Sequence, residues 1–440
     1  MAEAGFFAPE TAPDIDTGFT LVIRERDAAA GRAATIFAGF VFAIFCGVML
    51  PASRFYAGER AFVTGDADPA AKTLHILALL GLAFLLVRHW HRLRPILRHA
   101  VPLLVLLGLM LASMLWSQFP DATLRRFFSY LDCAIWAVYA YGILGFDRTM
   151  RVLQWVAGFV LVANLVLAAL PPHFGLDVAP FAGALRGVFP QKNELGEQIV
   201  LGSTFFLYGI YAGERPRLSW FFFALTVAEV ALSRSATSLV GLAAIALLTS
   251  AALLARRGPR AKAVVVYFMM LALAMVGFVA LFMPDLFFAA IGKDETLTGR
   301  GPLWALAWDA AREHWLLGYG YNGFWSDNSS WTLYIWRVLG WQPPDAHNGF
   351  IEALLELGVV GLAAWLFILA RVAVRALIGW LGEARPAGFW MLLLLVYYLL
   401  LNVSEAAFLR ADGFAALFAF ALIATGDWRA RRAAPLAEPA

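Results

Sequence analysis

Apolar windows alternate with short charged or Pro- and Gly-rich breaks along this 440-residue chain. An α-helix needs about 20 apolar residues to cross the hydrocarbon core of a bilayer. The pattern therefore predicts twelve membrane-spanning helices, although an almost continuous apolar stretch shared by the seventh and eighth windows also allows eleven or thirteen. The twelve windows lie at 33–52, 73–88, 100–117, 127–145, 150–171, 194–213, 218–233, 237–255, 262–283, 348–371, 387–403 and 412–427.

The segments between the windows give the remaining organisation, and the predicted fold class is all-α, a polytopic membrane protein. Residues 1–32 carry charges where a secretory signal would place its apolar core, so we expect a cytoplasmic tail there. Helices 1–9 then occupy 33–283, a large loop occupies 284–347, helices 10–12 occupy 348–427, and 428–440 form a second cytoplasmic tail.

Composition agrees with a membrane protein and excludes other classes. Hydrophobic residues make up 61% of the chain and charged residues 15%, against about 45–50% and about 25% in soluble globular domains. An intrinsically disordered chain would be far less apolar. The two cysteines, Cys46 and Cys133, both lie inside apolar windows, so neither a structural disulfide nor a cysteine metal site is indicated.

The distribution of basic residues predicts the orientation of the chain in the membrane. With the N-terminus inside, the cytoplasmic segments hold 21 of the 34 Lys and Arg residues, as the positive-inside rule requires. The densest clusters, at 88–98, 256–262 and 429–432, all fall on that side. We therefore expect both termini in the cytoplasm and the loop 284–347 on the outer side.

The loop 284–347 is rich in tryptophan, with seven of the sixteen in the chain lying between Trp304 and Trp341. Such residues anchor helices at the membrane surface, but indole rings also stack on the faces of sugars, and both interpretations are open from the sequence. Apolar residues recur on one side of 302–315 and charged residues on the other. This pattern predicts an amphipathic helix lying on the membrane.

No motif of a soluble enzyme occurs in the chain. A phosphate-binding loop, a zinc-type His/Cys cluster and a nucleophile elbow are all missing from the sequence. Residues 318–323 are glycine-rich but follow a predicted helix rather than a strand, which indicates a turn. No long basic tract indicates a nucleic acid partner.

Charged residues beside the outer ends of the predicted helices are the strongest functional signal, because ionisable groups at membrane depth are costly. They fall in four short elements. The first element contains Arg186, Lys192 and Asn193, and the second contains Arg234. The third contains Arg300 and Trp304, and the fourth contains His347 and Asn348.

Each element also has a structural interpretation. Arg186 and Lys192 would anchor at headgroup phosphates, and Arg234 would be satisfied by the hydroxyl-bearing residues around it. Arg300 would be a cap or surface residue. His347 would be a polar group where a helix begins, with the next residue as N-cap. The functional interpretation gains when the four elements are taken together, since cations and one imidazole converge on one side of the membrane.

The chemistry of this set suits a substrate that carries phosphate. Arginine stays ionised and presents a planar fork that pairs with phosphate oxygens. A neutral histidine is well suited near pH 7 to accept the proton of an incoming hydroxyl. No cluster of acidic metal ligands accompanies these residues, so the arginines would take the place of a metal in stabilising a diphosphate leaving group.

Two acids, Asp132 and Glu229, lie deepest in the predicted spans. They would either form a proton or ion path, as in a transporter, or pair with basic or backbone donors. We favour the structural alternative. A transporter would also call for inverted repeats with paired midplane breaks, which the sequence does not display.

A family resemblance appears at the same residues. His347-Asn348, followed after nine residues by Gly358-Val359, resembles the His-(Asn/Ser/Gln)-x9-Gly-(Thr/Val) signature of the O-antigen ligase/polymerase (Wzy-type) superfamily. Four other blocks are similar to the same pattern, and together they cover roughly 186–362. They are Gly299-Arg-Gly-Pro-Leu-Trp304, Leu316-Leu-Gly-Tyr-Gly, Leu232-Ser-Arg-Ser and Phe189-Pro-Gln-Lys-Asn193.

The resemblance implies a membrane glycosyltransferase of the GT-C type, in the bacterial inner membrane with its active site facing the periplasm. It implies an undecaprenyl-diphosphate-linked glycan donor and no metal or other cofactor. Catalytic roles then fall to Arg234 and Arg300, which would bind the lipid diphosphate, and to His347, which would activate the acceptor hydroxyl. We expect further substrate contacts from Arg186, Lys192, Asn193, Asn348 and Trp304.

Polymerases and ligases of this superfamily differ in their acceptor. Ligases often carry Arg-x3-Leu, whereas Leu303 follows Arg300 after only two residues. The Lys192-Asn193 element and the aromatic-rich loop resemble exopolysaccharide polymerases more closely. We therefore predict a polymerase that transfers the growing chain to the next lipid-linked repeat by direct displacement with inversion, with a chain-length regulator as a partner to look for. A ligase acting on lipid A-core is the alternative, and a polysaccharide or lipid transporter is less favoured.

Overall fold

The computed structural model describes residues 17–48, 69–177, 181–258, 260–261, 264, 267, 300–382 and 385–433. Helices dominate these residues, and the only β contact among them is one antiparallel bridge between Leu176 and Leu185. Apart from residues 264 and 267, the ninth predicted span at 262–283 lies outside the described residues. The first part of the loop at 284–299 and the outermost residues of both predicted tails lie outside them as well.

The described part of the chain before the large loop forms ten α-helices. They are α1 (Thr17–Phe45), α2 (Pro69–Arg88), α3 (Trp90–Leu97), α4 (Val101–Ala112), α5 (Pro120–Tyr139), α6 (Gly145–Ala169), α7 (Pro172–Gly175), α8 (Lys192–Ala212), α9 (Pro216–Ser233) and α10 (Ala236–Ala255). Five more follow in the described remainder. They are α11 (Arg300–Glu313), α12 (Ser330–Leu339), α13 (Gly349–Leu381), α14 (Arg385–Ser404) and α15 (Gly413–Ala433).

Several of these helices have the length and composition of membrane spans. Five helical stretches qualify outright: Trp90–Leu115, Pro120–Ala169, Ala236–Ala255, Gly349–Leu381 and Arg385–Ser404. Three shorter apolar helices, Gly31–Phe45, Thr73–Arg88 and Gly413–Gly426, accompany them. The predicted class of an all-α membrane protein is confirmed.

The junction between the fourth and fifth predicted spans differs from the sequence prediction, because no loop separates them. The helical stretch Pro120–Ala169 continues through a π-helical turn at Ala140–Leu144. Gly145 follows with φ +73°, and the Thr149 hydroxyl lies 3.1 Å from Ala140 O and 2.7 Å from Gly145 O. The hydroxyl thereby satisfies carbonyl groups that the bend exposes, so the chain bends without leaving them unpaired.

Helix α8 lies at the centre of the bundle, packed against α6, α9, α10 and α14. Glycines permit this close approach, as small residues do at helix interfaces in membranes. A Cβ at Gly196 would overlap the Ser238 hydroxyl on α10, and a Cβ at Gly209 would overlap the Ser219 hydroxyl on α9. Helix α8 is therefore surrounded by protein, which explains why it tolerates polar residues.

Hydrogen bonds join helix ends that the charge pattern predicts on the same side of the membrane. On the predicted outer side, Lys192 Nζ donates to Arg234 O at 3.1 Å, and Thr123 Oγ1 donates to Tyr321 O at 2.8 Å. On the opposite side, Arg256 Nη1 donates to Tyr211 O at 2.7 Å. We call the side of the first two bonds the outer face, and all four predicted site elements lie on it.

Candidate functional site

The described part of the large loop, 300–347, contains two α-helices, and the first one corrects a prediction. Helix α11 matches the amphipathic segment predicted at 302–315, and Leu303, Ala307 and Ala310 are completely buried on its apolar side. This side packs in one cluster with Leu355 of α13. The apolar stripe of α11 therefore contacts protein instead of lying on the membrane, since α13 supplies the apolar surface that lipid would otherwise provide.

Helix α13 is broken at Gly358, which has φ +63° and ψ −164°. Backbone groups of the turn after α11 form hydrogen bonds with the residues on both sides of the break. Tyr319 N donates to Leu355 O at 2.8 Å and Gly320 N to Glu356 O at 2.9 Å, while Val359 N donates to Trp315 O at 2.8 Å. In a membrane, every backbone N–H or C=O group that loses its helical hydrogen bond at a break needs another partner. The predicted turn at 318–323 is confirmed, and it serves as this partner.

Two buried carboxylates on α13 hold the loop above the helix. Glu352 accepts hydrogen bonds from Ala346 N at 2.8 Å and from Trp325 Nε1 at 2.9 Å. Glu356 accepts from Asn322 N at 3.1 Å. Backbone and indole N–H groups thus take the place of water around these acids. Because Ala346 immediately precedes His347, the first of these bonds also fixes where the imidazole lies.

His347 lies between two carboxylates. Its Nδ1 is 3.2 Å from Glu405 Oε2 and 3.3 Å from Asp345 Oδ1. Its backbone has φ +47°, a left-handed conformation that is uncommon for a residue with a side chain and that surrounding contacts must hold in place. The hydrogen bond from His347 N to Asp345 Oδ1, at 2.8 Å, is one such contact.

Arg300 binds the same carboxylate from the other side. Its Nη2 donates to Glu405 Oε1 at 3.0 Å, and its Nη1 donates to Ser404 O. Glu405 therefore bridges Arg300 and His347, although the three residues come from the start of α11, the start of α13 and the end of α14. The structure thus brings two of the three predicted catalytic residues together.

The electrostatics of this cluster follow from its charges. Burial lowers the pKa of His347, but the hydrogen bond with Glu405 and the charges of Asp345 and Glu405 raise it more, so the net pKa is above its ordinary value of 6.5. Burial raises the pKa of Glu405, but its bonds with His347 and Arg300 dominate and lower it. Glu405 is consequently an ionised acceptor, and since a carboxylate only accepts, the proton of a neutral imidazole lies on Nδ1. Nε2 is then the atom that can accept a proton.

Asn348 and Trp304 take structural roles in this arrangement. The Asn348 side-chain oxygen accepts hydrogen bonds from Phe350 N and Ile351 N at 3.0 and 3.2 Å, which is the geometry of an N-cap on α13. Trp304 Nε1 donates to Ala346 O at 3.0 Å. Both residues position the backbone around His347.

The other predicted residues form a second cationic group on the outer face. Arg234 is exposed at the C-terminus of α9 with φ +52°, and its backbone oxygen accepts the bond from Lys192 Nζ. Lys192 also lies over the Phe181 ring, 4.3 Å from its centroid. Arg186 Nη1 donates to Pro190 O at 3.3 Å in the preceding loop, and Asn193 lies half-buried in the first turn of α8.

Arg410, in the connection between α14 and α15, links the two groups. Its Nη2 donates to Glu197 Oε2 on α8 at 2.7 Å, and its Nε donates to Asp412 Oδ2 at 2.6 Å. Helix α8 begins at Lys192, and the same connection carries Glu405. Arg410 therefore fixes the end of α8 that carries Lys192 against the segment that carries Glu405.

Of the two deep acids, Glu229 has a hydrogen-bond partner. Asn164 Nδ2 donates to Glu229 Oε2 at 2.8 Å, and Asn164 Oδ1 accepts from Val188 N at 3.0 Å. This pairing favours the structural alternative for Glu229. Asp132 has only His75 nearby, with Nδ1 3.7 Å from Oδ2, and both of its buried carboxylate oxygens lack a hydrogen bond within the described part of the chain. Among the described residues, no group of three or more His, Cys, Asp or Glu residues is arranged to hold a metal ion.

Sequence reasoning missed Glu405, Asp345 and Arg410. A signal was available for Glu405 and Arg410, since both lie in a short outer connection between two apolar windows, where charges are unexpected. Asp345 precedes His347 by two residues, within reach of the same turn.

Residues 221–366 match the O-antigen ligase family. This region contains Arg234, Arg300 and His347 but not Glu405. The exopolysaccharide production protein ExoQ of Rhizobium meliloti (strain 1021) is 30% identical to this chain over 282 residues, which cover 61% of this chain and 62% of that relative. The predicted resemblance to the O-antigen ligase/polymerase superfamily, close to exopolysaccharide proteins, is thereby confirmed. The chain spans less than two thirds of the length of this relative.

Proposed function

We propose that this chain is a glycosyltransferase of the GT-C type that polymerises undecaprenyl-diphosphate-linked repeat units at the periplasmic face of the bacterial inner membrane. The observation that carries the proposal is the Arg300–Glu405–His347 cluster, which puts an ionised phosphate-binding group beside an oriented base. The remaining topology belongs to the same proposal, with about twelve spans and both termini in the cytoplasm.

The reaction needs one base and one stabilised leaving group. Nε2 of neutral His347 accepts the proton of an acceptor sugar hydroxyl as its oxygen attacks the anomeric carbon of the donor. The bond from that carbon to the diphosphate oxygen breaks with inversion, and the lipid diphosphate leaves with the electron pair. Arg300 and Arg234 pair with the phosphate oxygens and stabilise the charge that develops there.

Arg300 has to change partner when the donor binds, because its guanidinium is held by Glu405. Diphosphate carries more negative charge than one carboxylate and offers several acceptor oxygens, so it competes effectively for the arginine. Glu405 then keeps its bond to His347. The same carboxylate thus holds the arginine before the donor arrives and the imidazole during the reaction.

The second cationic group extends this site along the outer face. Arg234 is exposed and its side chain makes no hydrogen bond or ion pair with the described residues, so it is available to phosphate without exchanging a partner. Arg186, Lys192 and Asn193 are the further candidates for contacts with the lipid-linked glycan. A chain-length regulator is the partner protein that a polymerase of this kind would call for.

Purified protein in proteoliposomes with one lipid-linked repeat unit tests the function. A ladder of products is expected without added lipid A-core, and it should disappear in Arg300→Ala and His347→Ala. Arg337→Ala is the matched control, since Arg337 is an exposed arginine of the same loop, on α12. Product that forms only after lipid A-core is added would instead establish the ligase, the activity for which the matched family is named. An unaltered ladder in both site variants would refute the proposed chemistry.

A further inference from the structure

The seven tryptophans of the loop fall into two groups according to their indole N–H. Four donate a hydrogen bond to another part of the loop or to α13, and so brace the fold. These bonds are Trp304 to Ala346 O, Trp325 to Glu352, Trp331 to Glu313, and Trp336 to Pro343 O. The four residues are therefore committed to structure.

The other three tryptophans are exposed, and their indole N–H groups have no partner among the described residues. Trp308 is 51% exposed, Trp315 63% and Trp341 39%. Trp341 differs from the other two because its ring stacks on the imidazole of His347, with centroids 6.0 Å apart and planes 20° from parallel. An exposed aromatic face thus lies directly beside the proposed base.

The orientation of this ring matters for what can bind there. The lone pair of Nε2 lies in the plane of the imidazole, and the indole plane is nearly parallel to that plane. A pyranose ring that donates one hydroxyl to Nε2 and lies in the plane of the imidazole is then also parallel to the indole. The C–H groups of a sugar carry partial positive charge and the face of an indole partial negative charge, so this arrangement is attractive.

The backbone on both sides of Trp341 is constrained. The residue follows Gly340, which ends α12 with φ +73°, and precedes Pro343, which is buried and accepts the bond from Trp336. A ring carried by a constrained backbone loses less conformational freedom when a ligand stacks on it than one carried by a mobile loop. The segment therefore has the properties of a preformed platform.

We propose that Trp341 is the stacking platform for the terminal pyranose of the acceptor glycan, the sugar whose hydroxyl faces His347 Nε2. This inference rests on the proposed function and names the acceptor side of the same site. It replaces Trp304, which the sequence suggested for substrate contact, with the tryptophan whose face is open.

The experiment measures acceptor and donor binding separately. Trp341→Phe, Trp341→Leu and the control Trp308→Leu are purified and compared for the KM of the lipid-linked acceptor and for the affinity for undecaprenyl diphosphate. We expect Trp341→Leu to raise the acceptor KM about three- to tenfold and Trp341→Phe to raise it less. Trp308→Leu should leave it unchanged. The affinity for undecaprenyl diphosphate should be the same in all three variants.

Other outcomes would overturn the platform. An unchanged acceptor KM in Trp341→Leu, or a fall in kcat alone with a shifted pH profile, would mean that Trp341 only supports the imidazole. Equal loss of activity in Trp341→Leu and Trp308→Leu, restored by changing the lipid composition, would mean a membrane anchor. Failure of the proposed function is distinguishable, since the native protein would then form product only after lipid A-core is added, or Arg300→Ala and His347→Ala would retain polymer synthesis.

Discussion

At the scale of single residues, Glu405 connects two tasks that a glycosyl transfer has to coordinate. It accepts a hydrogen bond from the arginine proposed to bind the donor and another from the imidazole proposed to deprotonate the acceptor. A single substitution at this position therefore acts on both, and the two effects can be measured separately.

We expect Glu405→Gln to shift the pH dependence of the reaction. Activity requires neutral His347, so the rate rises with pH through the pKa of the imidazole, which lies above 6.5 in the native site. Removal of the carboxylate lowers that pKa, and the rising limb of kcat/KM should move to lower pH. The neutral imidazole is then a weaker base, so kcat should fall, by less than the roughly 10²–10⁴-fold effect of a general base. Glu405→Asp is the control, and an unmoved limb would contradict the pairing.

Asn348→Ala should reduce stability and leave the chemistry in place. The side chain caps α13 through two backbone N–H groups, and loss of such a cap costs about 1 kcal/mol. The melting temperature in detergent should fall, while the pH limb assigned to His347 stays where it is. Asn348→Asp, which keeps the capping oxygen, should melt near the native protein. A shift of this limb of the pH–rate profile in Asn348→Ala would indicate that the Asn348 side chain affects the pKa of the imidazole.

The sequence predicted Arg300 and His347 because each lies in a recognisable block, but it did not predict Glu405. The carboxylate is 58 positions from His347 and 105 from Arg300. Its partners become neighbours through the packing of α11 and of α14 against α13, which no local pattern encodes. Asn348 illustrates the reverse case, since its residue type suited both a cap and a substrate contact, and only the geometry distinguishes them.

At the scale of elements, the break in α13 is the feature that organises the outer loop. Gly358→Ala should be strongly destabilising, because the conformation at this position is almost exclusive to glycine and a Cβ would overlap the backbone of Leu316. Gly340→Ala is a matched control, since Gly340 also has positive φ, +73°, but has nothing within 4 Å of a built Cβ. We expect the control to lose about 1–2 kcal/mol of unfolding free energy and Gly358→Ala to lose clearly more. Thermal unfolding measures both losses. Equal losses would mean that the close contact is unimportant.

Periodicity predicted helices well where they run through apolar surroundings, and less well where they are interrupted. The spans at 237–255 and 387–403 correspond closely to α10 and α14. No local pattern indicated that the fourth and fifth windows belong to one helical stretch, Pro120–Ala169, because a π turn and one hydroxyl replace the expected loop. Gly358 was recognised as part of a signature, but its role as a break depends on the turn at 315–320, which is distant in sequence.

At the scale of the whole molecule, the Arg410–Glu197 pair joins the centre of the bundle to the active-site connection. Arg410→Leu leaves Glu197 buried without its cation. Breaking a buried ion pair in this way typically lowers the free energy of unfolding by about 3–5 kcal/mol. The double variant Arg410→Leu/Glu197→Leu removes both charges and should recover part of that stability. Thermal unfolding of the four proteins forms a double-mutant cycle, and additive effects would contradict direct coupling.

The orientation of the molecule is also open to a direct test. Cys46 and Cys133 are both free, so they can be replaced without breaking a disulfide. Single cysteines are then introduced at Asn328 and at Arg92, which are exposed and are predicted to lie on opposite sides of the membrane. A membrane-impermeant maleimide should label position 328 in intact spheroplasts and position 92 only after lysis. The reverse result would invert the topology and remove the periplasmic site.

Charge counting assigns each helix end to one side of the membrane, but it does not predict which helices are neighbours. The positive-inside rule concerns each connection separately, whereas the central place of α8 follows from Gly196 and Gly209 meeting hydroxyls on two other helices. Neighbour relations of this kind depend on the fit of several helices at once.

The nine residues between Asn348 and Gly358 set the distance and the rotation between the N-cap of α13 and its break. In helical conformation they span about 14 Å, with one end fixed by the cap and the other by the inserted turn. An added residue would rotate one end by about 100° relative to the other, so the imidazole and the turn could not both keep their partners. We expect insertions within 349–357 to abolish activity, while insertions at the exposed positions 327–328 are tolerated. Natural variation in the length of this loop should accordingly accumulate before His347, and the distance from the base to the break should stay constant.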